Sequence, residues 1–230
     1  MTDVIISSFI SLFALFGKVE QVDEERAKEM LVSYLRHQFG IRNIDLYLDL
    51  YSDMRMAYEM TDDLNTQDTV SSICSSLHGK IRTTEEALLL LRLMEFCSDD
   101  GLKAVSMFDT MAHTFHISES QYADFTDFVN NKESERVMLH HITGFDSPIK
   151  TLLDRSTGLL IFTYMGRDTV LLNDVPVLSG TYQVWQQSSV LKGSSGKPLY
   201  YSTIIDAWSG KMPHATGQIS PCTTTTEPVF

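Results

Sequence analysis

A pattern that recurs 76 positions apart is the feature of this sequence that most constrains its fold. The segment from Phe13 to Leu46 reappears from Leu89 to Tyr122, with apolar residues on apolar positions and acids on acids. The pattern His-x-Phe-x-Ile occurs in both copies, at His37 and at His113. One amphipathic unit of this kind cannot bury its apolar face alone. The repeat therefore predicts two packed copies of one helical unit.

Apolar residues at helical spacing predict that the first half of the chain is helical throughout. Asp23 predicts an N-cap, and Gly40 predicts the end of the same helix. Thr83 and Glu86 are spaced as a capping box, and the leucine-rich segment after them predicts a central helix with neighbours on several sides. The third helix of the first copy is expected to bury the apolar residues Leu46, Leu50, Tyr51, Met54 and Tyr58.

From Val137 onwards the apolar residues alternate or form short runs separated by turn residues, which predicts strands. The predicted strands are VMLHHI, GLLIFTY, TVLL, TYQVW and LYYSTI, with a turn at 173–174 between two of them. The sequence thus predicts an α+β chain, in which a small and mostly antiparallel β domain follows an all-helical bundle with an internal pseudo-twofold repeat. We expect the helical domain over residues 1–132 and the β domain over 137–208. Residues 209–230 are expected to form a flexible tail or the stub of a following domain.

The net charge of −12 is confined to the helical part of the sequence. Residues 1–136 hold 24 acidic and 12 basic side chains, whereas residues 137–230 hold six of each. A surface this acidic repels phosphate backbones, which argues against nucleic-acid binding, and the chain lacks a basic stripe for attachment to membranes.

The apolar N-terminal segment and the cysteines bear on where the protein works. Val4–Gly17 is shorter than the roughly 18–20 residues that span a bilayer, so it predicts a buried helix without membrane insertion. The odd number of cysteines, Cys74, Cys97 and Cys222, favours a reducing compartment, which predicts a cytoplasmic protein.

Acidic residues occupy equivalent positions in the two copies of the repeat. Asp23 and Glu24 in the first copy correspond to Asp99 and Asp100 in the second. Oxygen ligands of this kind suit a divalent cation such as Ca²⁺ or Mg²⁺. The same residue types also serve as N-caps and as partners of the helix dipole. Capping is the simpler interpretation, because neither position has the spacing of a calcium-binding EF-hand loop.

Other polar motifs predict no catalytic chemistry. One helical face carries Asp109, His113 and His116. These side chains are either metal ligands or residues at the boundary of the core, and the second interpretation is the simpler one. His140 and its neighbour point to opposite faces of a predicted strand. The loop 193–197 has the Gly-Lys ending of a phosphate-binding loop but neither its spacing nor a following helix. The sequence also lacks a nucleophile elbow, so we expect a chain that is not an enzyme.

The first 130 residues resemble the TerB-like helical domain, which is named for tellurite-resistance proteins. The resemblance lies in LFALFGKV, VDEERAKEML, and LLLLRLMEFCSDDG followed by HTFHISESQYADF. It implies a bundle of about seven helices with pseudo-twofold symmetry. It also implies a divalent-cation site at the acids named above, and hence, as one alternative, a stand-alone metal-binding or stress-response protein of the tellurite-resistance type.

The segment TVLLNDVPVLSGTYQVWQQSSVLKGSSGKPLYYSTI resembles part of a family of bacterial ABC-transporter ATP-binding proteins. In that family a TerB-like domain and a small forkhead-associated-like (FHA-like) β domain precede the ATPase. The Walker and signature motifs of the ATPase do not occur in these 230 residues. The resemblance implies a non-catalytic accessory or regulatory N-terminal region. It would dock onto the ATPase domain, the transmembrane subunit or a second copy of the chain, at the inner face of the cytoplasmic membrane.

Forkhead-associated domains read phosphothreonine through a Gly-Arg loop followed by Ser-x-x-His. The chain has the Gly-Arg pair at Gly166 and Arg167, but no Ser-x-x-His follows it. The resemblance therefore implies, as a further alternative, a phosphopeptide-binding module that relies on Arg167 alone.

Overall fold

The computed structural model describes residues 3–97, 103–132, 134–194 and 197–211. Within these ranges a helical bundle precedes a β part made of short antiparallel strands, which confirms the predicted α+β layout. The helices of the bundle are α1 (Asp3–Glu20), α2 (Glu24–Phe39), α3 (Asp45–Glu59), α4 (Thr66–Leu77), α5 (Thr83–Phe96), α6 (Val105–Thr114) and α7 (Glu119–Val129). The β part consists of β1 (Val137–His140), β2 (Ile149–Asp154), β3 (Leu159–Tyr164), β4 (Val170–Leu172), β5 (Val175–Val177), β6 (Gln183–Val184), β7 (Val190–Lys192), β8 (Pro198–Tyr200) and α8 (Tyr201–Lys211).

The two copies of the repeat share their order of helices, with α1, α2 and α3 corresponding to α5, α6 and α7. The first helix of each copy ends at an equivalent residue, Glu20 or Phe96. After the second helix the backbone turns left-handed at Gly40, with φ 64°, and at the equivalent His116, with φ 55°. A side chain is strained at such a φ. The second copy therefore keeps the turn geometry even though it lacks the glycine.

The predicted cap of α2 is confirmed, and the predicted capping box of α5 is wrong by one residue. Asp23 Oδ1 accepts a hydrogen bond from Arg26 N at 3.0 Å. The N-cap of α5 is Arg82, whose backbone N donates to Glu85 Oε2 at 2.9 Å. Glu86 instead points into the protein, where its Oε1 lies 2.9 Å from His78 Nδ1. Burial of the apolar face of α5 fixes its rotation, and that rotation makes Glu85 the capping residue.

Helix α5 is the centre of the bundle, as its leucine-rich sequence predicts. Every residue from Glu86 to Phe96 is buried, and the helix packs against α1, α6 and α7. Helix α1 is also largely buried. Among the described residues no helix is both long and apolar enough to cross a lipid bilayer.

The β part consists of two four-stranded sheets, ordered β1-β2-β3-β6 and β5-β4-β7-β8. Successive side chains of a strand point to opposite faces. On β2, Leu152 packs into the helical core, whereas Ile149 packs into the core between the sheets. Ile161 and Phe162 divide in the same way on β3. The first sheet is thus a middle layer that shares one apolar core with the helices.

Several strand predictions differ from the structure: β5 and β7 are absent from the predicted set, and TYQVW is a strand only over Gln183–Val184. LYYSTI is a strand only up to Tyr200 and then continues as α8, because Ile204 and Trp208, four residues apart, bury one helical face in the β core. The central strand β2 was not predicted, because Lys150 and Thr151 interrupt its apolar pattern. The predicted turn at 173–174 is confirmed, with φ of 51° and 63° at its two residues as in a type I′ hairpin.

Replacing Gly193 with alanine is expected to lower the free energy of unfolding by about 1–3 kcal/mol, the usual range for overpacking. An added Cβ would lie 2.6 Å from the backbone oxygen of Gly144, which no side-chain rotation can relieve. Urea denaturation followed by tryptophan fluorescence measures the change. The control is Gly210→Ala in α8, where a Cβ meets open space and no loss of stability is expected.

Candidate functional site

The predicted metal ligands of the first copy are engaged with protein groups. Asp23 caps α2, and Glu24 Oε1 forms an ion pair with Lys28 Nζ at 2.6 Å. The hydrogen bond from Lys28 and its charge lower the pKa of Glu24. Asp99 and Asp100 lie outside the described residues, so the joint cation site stays a prediction.

The loops that precede the second helix of each copy lie against each other. Glu20 Oε1 accepts a hydrogen bond from Ala104 N at 2.5 Å, and Lys103 Nζ donates to Gln21 Oε1 at 3.4 Å. A pocket of about 460 Å³ between them is lined by residues of both charges, including Glu20, Asp23, Arg26 and Lys103. The pseudo-twofold repeat thus brings its two equivalent loops together in space.

The histidines do not assemble a metal centre among the residues whose placement is described. No group of three His, Cys, Asp or Glu side chains in this part of the chain is arranged to hold a metal ion. His113 and His116 are exposed at the end of α6. His140 is buried at the end of β1, with Nε2 2.8 Å from Thr151 Oγ1. The exposed His141 follows β1, so the prediction that both histidines lie in one strand is wrong.

Arg167 is exposed, and carboxylates surround its loop. Its backbone N donates to Asp146 Oδ2 at 2.9 Å, and Asp146 also accepts from the Tyr164 hydroxyl. A Cβ on Gly166 would collide with both of those side chains, which gives the glycine a packing role. The acidic neighbours weaken a phosphate site at this place, and phosphopeptide binding by Arg167 stays a prediction.

A buried polar network joins α5 to the first sheet. Arg92 and Glu95 form an ion pair, with 2.9 Å between Arg92 Nη1 and Glu95 Oε2. Glu95 Oε1 accepts from the backbone N of Tyr182 at 2.7 Å, and the Arg92 guanidinium lies 5.5 Å from the ring centre of Tyr34. Desolvation raises the pKa of Glu95, and the charge of Arg92 opposes this shift. The network ties the helical bundle to the β part.

Helix α3 presents an exposed face that the sequence analysis missed. Leu46, Met56 and Met60 are 71%, 55% and 76% exposed, so the prediction that Leu46 is buried is wrong. Leu46 and the buried Tyr51 are five positions apart, which places them about 140° apart around a helix. Counting positions around α3 from Tyr51 would have found this face, because apolar residues occur on both sides of the helix.

The exposed face of α3 is also acidic. Asp49 and Asp53 lie between Leu46 and the two methionines. Successive residues of this set are three or four positions apart, which places all five side chains on one side of the helix. From Asp45 to Asp68 the sequence has seven acidic side chains and one basic one, Arg55. Arg55 pairs with Glu59 at 2.6 Å. We call Leu46, Asp49, Asp53, Met56 and Met60 the α3 face.

Comparison with models of protein families, with curated proteins and with solved structures gave no match to this chain. The resemblance to TerB-like domains and to ABC-transporter ATP-binding proteins is therefore a prediction from the sequence.

Asp23→Ala is expected to lower the free energy of unfolding by about 1 kcal/mol, the usual cost of losing an N-cap. Asp23→Asn should leave stability nearly unchanged, since asparagine caps helices equally well. Both variants are measured by thermal denaturation in EDTA and in excess calcium. If Asp23 were a metal ligand, calcium would stabilise the unmutated chain. The asparagine and alanine variants would then lose this calcium-dependent stabilisation to the same extent.

Arg92→Met is expected to cost about 3–5 kcal/mol of stability, because it removes the ion pair that Arg92 forms with the buried Glu95 carboxylate. The double variant Arg92→Met/Glu95→Gln should cost less than Arg92→Met alone. Glutamine removes the buried charge and keeps an oxygen for the backbone N of Tyr182. Chemical denaturation of the single and double variants measures the difference, and purely additive losses would contradict this account of the junction.

Proposed function

We propose that this chain is a non-catalytic accessory module that acts by docking onto a partner protein, with the α3 face as its contact surface. The observation that carries the proposal is the grouping of three exposed apolar side chains on one acidic side of one helix. Large exposed apolar side chains scattered singly are ordinary, whereas a group of them rimmed by charge is typical of interaction surfaces.

The internal repeat supports this choice of surface. In the second copy α7 is covered by the β part: Gln121 Nε2 donates to Asp154 Oδ2 at 2.7 Å, and the Phe128 ring lies 4.8 Å from that of Tyr182. The position that corresponds to Gln121 in the first copy is the exposed Asp45. The side of α7 that the β part covers therefore corresponds to a side of α3 that is exposed to solvent.

The charge of the α3 face specifies the chemistry of the partner. Asp49 and Asp53 correspond by the repeat to Phe125 and Val129, which are buried. The open copy therefore carries acids where the covered copy carries apolar residues. A complementary surface has Lys or Arg side chains around an apolar centre, and its association weakens as salt screens the charges.

The β part offers less for docking of this kind. Leu139, Val175 and Tyr200 are exposed, but they lie on β1, β5 and β8, which are edge strands of the two sheets. Met165 and Leu178 line the same pocket.

The cysteine thiols fit a non-catalytic role. Burial raises the pKa of Cys74 to about 12 and the pKa of Cys97 well above its usual value. Both thiols are therefore protonated at neutral pH, and a thiol in that state is a poor nucleophile.

The sequence resemblance supplies the class of partner. It implies the ATPase domain or the transmembrane subunit of an ABC transporter, at the inner face of the cytoplasmic membrane. Docking there would couple the position of this module to the ATPase without any chemistry of its own.

The test is photocrosslinking from the α3 face. The full chain carries Cys222→Ser and Met60→Cys, and a benzophenone is attached to the new thiol. We expect a crosslink in extracts of the source cells to a protein with an ABC-type ATPase domain, identified by mass spectrometry. Asp49→Lys/Asp53→Lys should lower its yield about tenfold, which corresponds to about 1.4 kcal/mol of binding free energy.

The matched control carries the benzophenone at Glu119→Cys, an exposed position of α7. The same product in equal yield from both positions would contradict the proposal, as would a yield that charge reversal leaves unchanged. A product made only of two copies of this chain would replace the transporter partner with a homodimer.

A further inference from the structure

A pocket of about 510 Å³ lies between α2 and the helix-facing side of the first sheet. One wall is formed by Arg26, Glu29 and Met30 of α2, and the opposite wall by Lys150 of β2 and Thr163 of β3. The segment 178–182, which connects β5 to β6, and the exposed Met165 form its rim. A pocket of this size falls in the range of about 300–1,000 Å³ that is usual for small-molecule sites.

Lys150 and Thr163 are direct cross-strand partners, so their side chains lie side by side on the face towards the helices. Lys150 is 6% exposed and Thr163 is 0% exposed. Lys150 Nζ donates to Phe128 O at 2.7 Å and to Asn131 Oδ1. These are its two hydrogen-bond acceptors among the described residues, and its Nζ also lies 4.5 Å from the ring centre of Phe128. An ammonium group has three protons, so one of them has no oxygen acceptor in this part of the chain.

The hydroxyl of Thr163 points to a ligand independently of the lysine. Its Oγ1 is buried and has no hydrogen-bond partner among the residues that the structure describes. Buried polar atoms are nearly always paired with protein, water or a bound molecule. An acceptor atom placed in the pocket would satisfy this donor and the third proton of Lys150 together.

The charges around the pocket leave an excess of one positive charge. Burial lowers the pKa of Lys150 to about 8, so this side chain is mostly protonated at neutral pH. Glu95 at the back of the pocket is paired with Arg92. The other charged side chains of the lining are Arg26, Lys150 and the exposed Glu29. A ligand with a single negative charge matches this balance.

The remaining lining is apolar. Met30, Val129, Met165 and Leu178 contribute side chains to the walls, and Met165 and Leu178 are 63% and 45% exposed at the rim. Methionine adapts to irregular apolar groups because its side chain is unbranched and polarizable. The pocket thus offers hydrogen-bond donors at its floor and apolar contacts towards its mouth.

We propose that this pocket binds a small monocarboxylate with an apolar tail. Lys150 and Thr163 donate to the carboxylate, Arg26 contributes its charge, and the tail lies against Met165 and Leu178. The site is separate from the α3 face, so the two proposals stand or fall independently.

The experiment uses the full chain with ¹³C-methyl methionine, titrated with sodium octanoate and, as the uncharged probe, with octanamide. Methyl shifts report the location of binding, because Met30 and Met165 line the pocket and Met56 and Met60 lie on the α3 face. We expect octanoate to shift Met30 and Met165, and octanamide to bind at least tenfold more weakly. Calorimetry supplies the dissociation constants.

Two variants test the contacts. Thr163→Val keeps the shape of the side chain and removes an unpaired hydroxyl, so the melting temperature should hold or rise while the affinity for octanoate falls about tenfold, the effect of losing one hydrogen bond to a charged group. Arg26→Gln should weaken octanoate binding more than octanamide binding. Lys28→Gln, two residues along α2 and paired with Glu24, is the matched control and should change neither.

The proposal is overturned if octanoate shifts only Met56 and Met60, which would indicate adventitious apolar binding. It is equally overturned if octanoate does not bind, or if Thr163→Val and Arg26→Gln leave its dissociation constant unchanged.

Discussion

The carboxylate of Glu95 accepts one hydrogen bond from Arg92 of its own helix and one from the backbone of Tyr182, which belongs to the β part. A buried carboxylate is costly unless such partners are present. Because Arg92 also approaches Gln183 at 3.5 Å and the ring of Tyr34, the pair connects α5 to α2 and to β6. The positions of the α2 wall and of the 178–182 rim, and hence the shape of the pocket between them, depend on this junction.

The repeat gives the same helical unit two different surroundings. In the second copy the outer helix α7 is covered by the first sheet, and Lys150 caps its C-terminal end through Phe128 O. In the first copy the outer helix α3 keeps the corresponding side open and carries Asp49 and Asp53 there. The two copies therefore differ in the residues of one face of the outer helix. This face is apolar on α7, where the first sheet covers it, and acidic on α3, where we propose that a partner binds.

Local patterns predicted the helices well and the β part less completely. The cap at Asp23, the left-handed end at Gly40 and the hairpin turn at Asn173 are short-range signals, in which a few neighbouring atoms decide the conformation. The strand β2 was missed because Lys150 is polar at a buried position. Its burial depends on acceptors in α7 that lie far away in the sequence. The start of α8 was predicted as a strand because the aromatic run LYY favours strands. The packing of Trp208 into the β core stabilises a helix there instead.

The sequence by itself determined the duplicated helical unit, the change from helical to strand periodicity near Val137, and the confinement of the net negative charge to the helical part. These properties depend on residue order and composition alone. Only the tertiary structure decided that Leu46 is exposed, that Glu86 is a core residue and that Lys150 and Thr163 line a common pocket. Those outcomes follow from the rotation of helices against their neighbours and from strand register, and both are set by burial of the whole apolar surface at once.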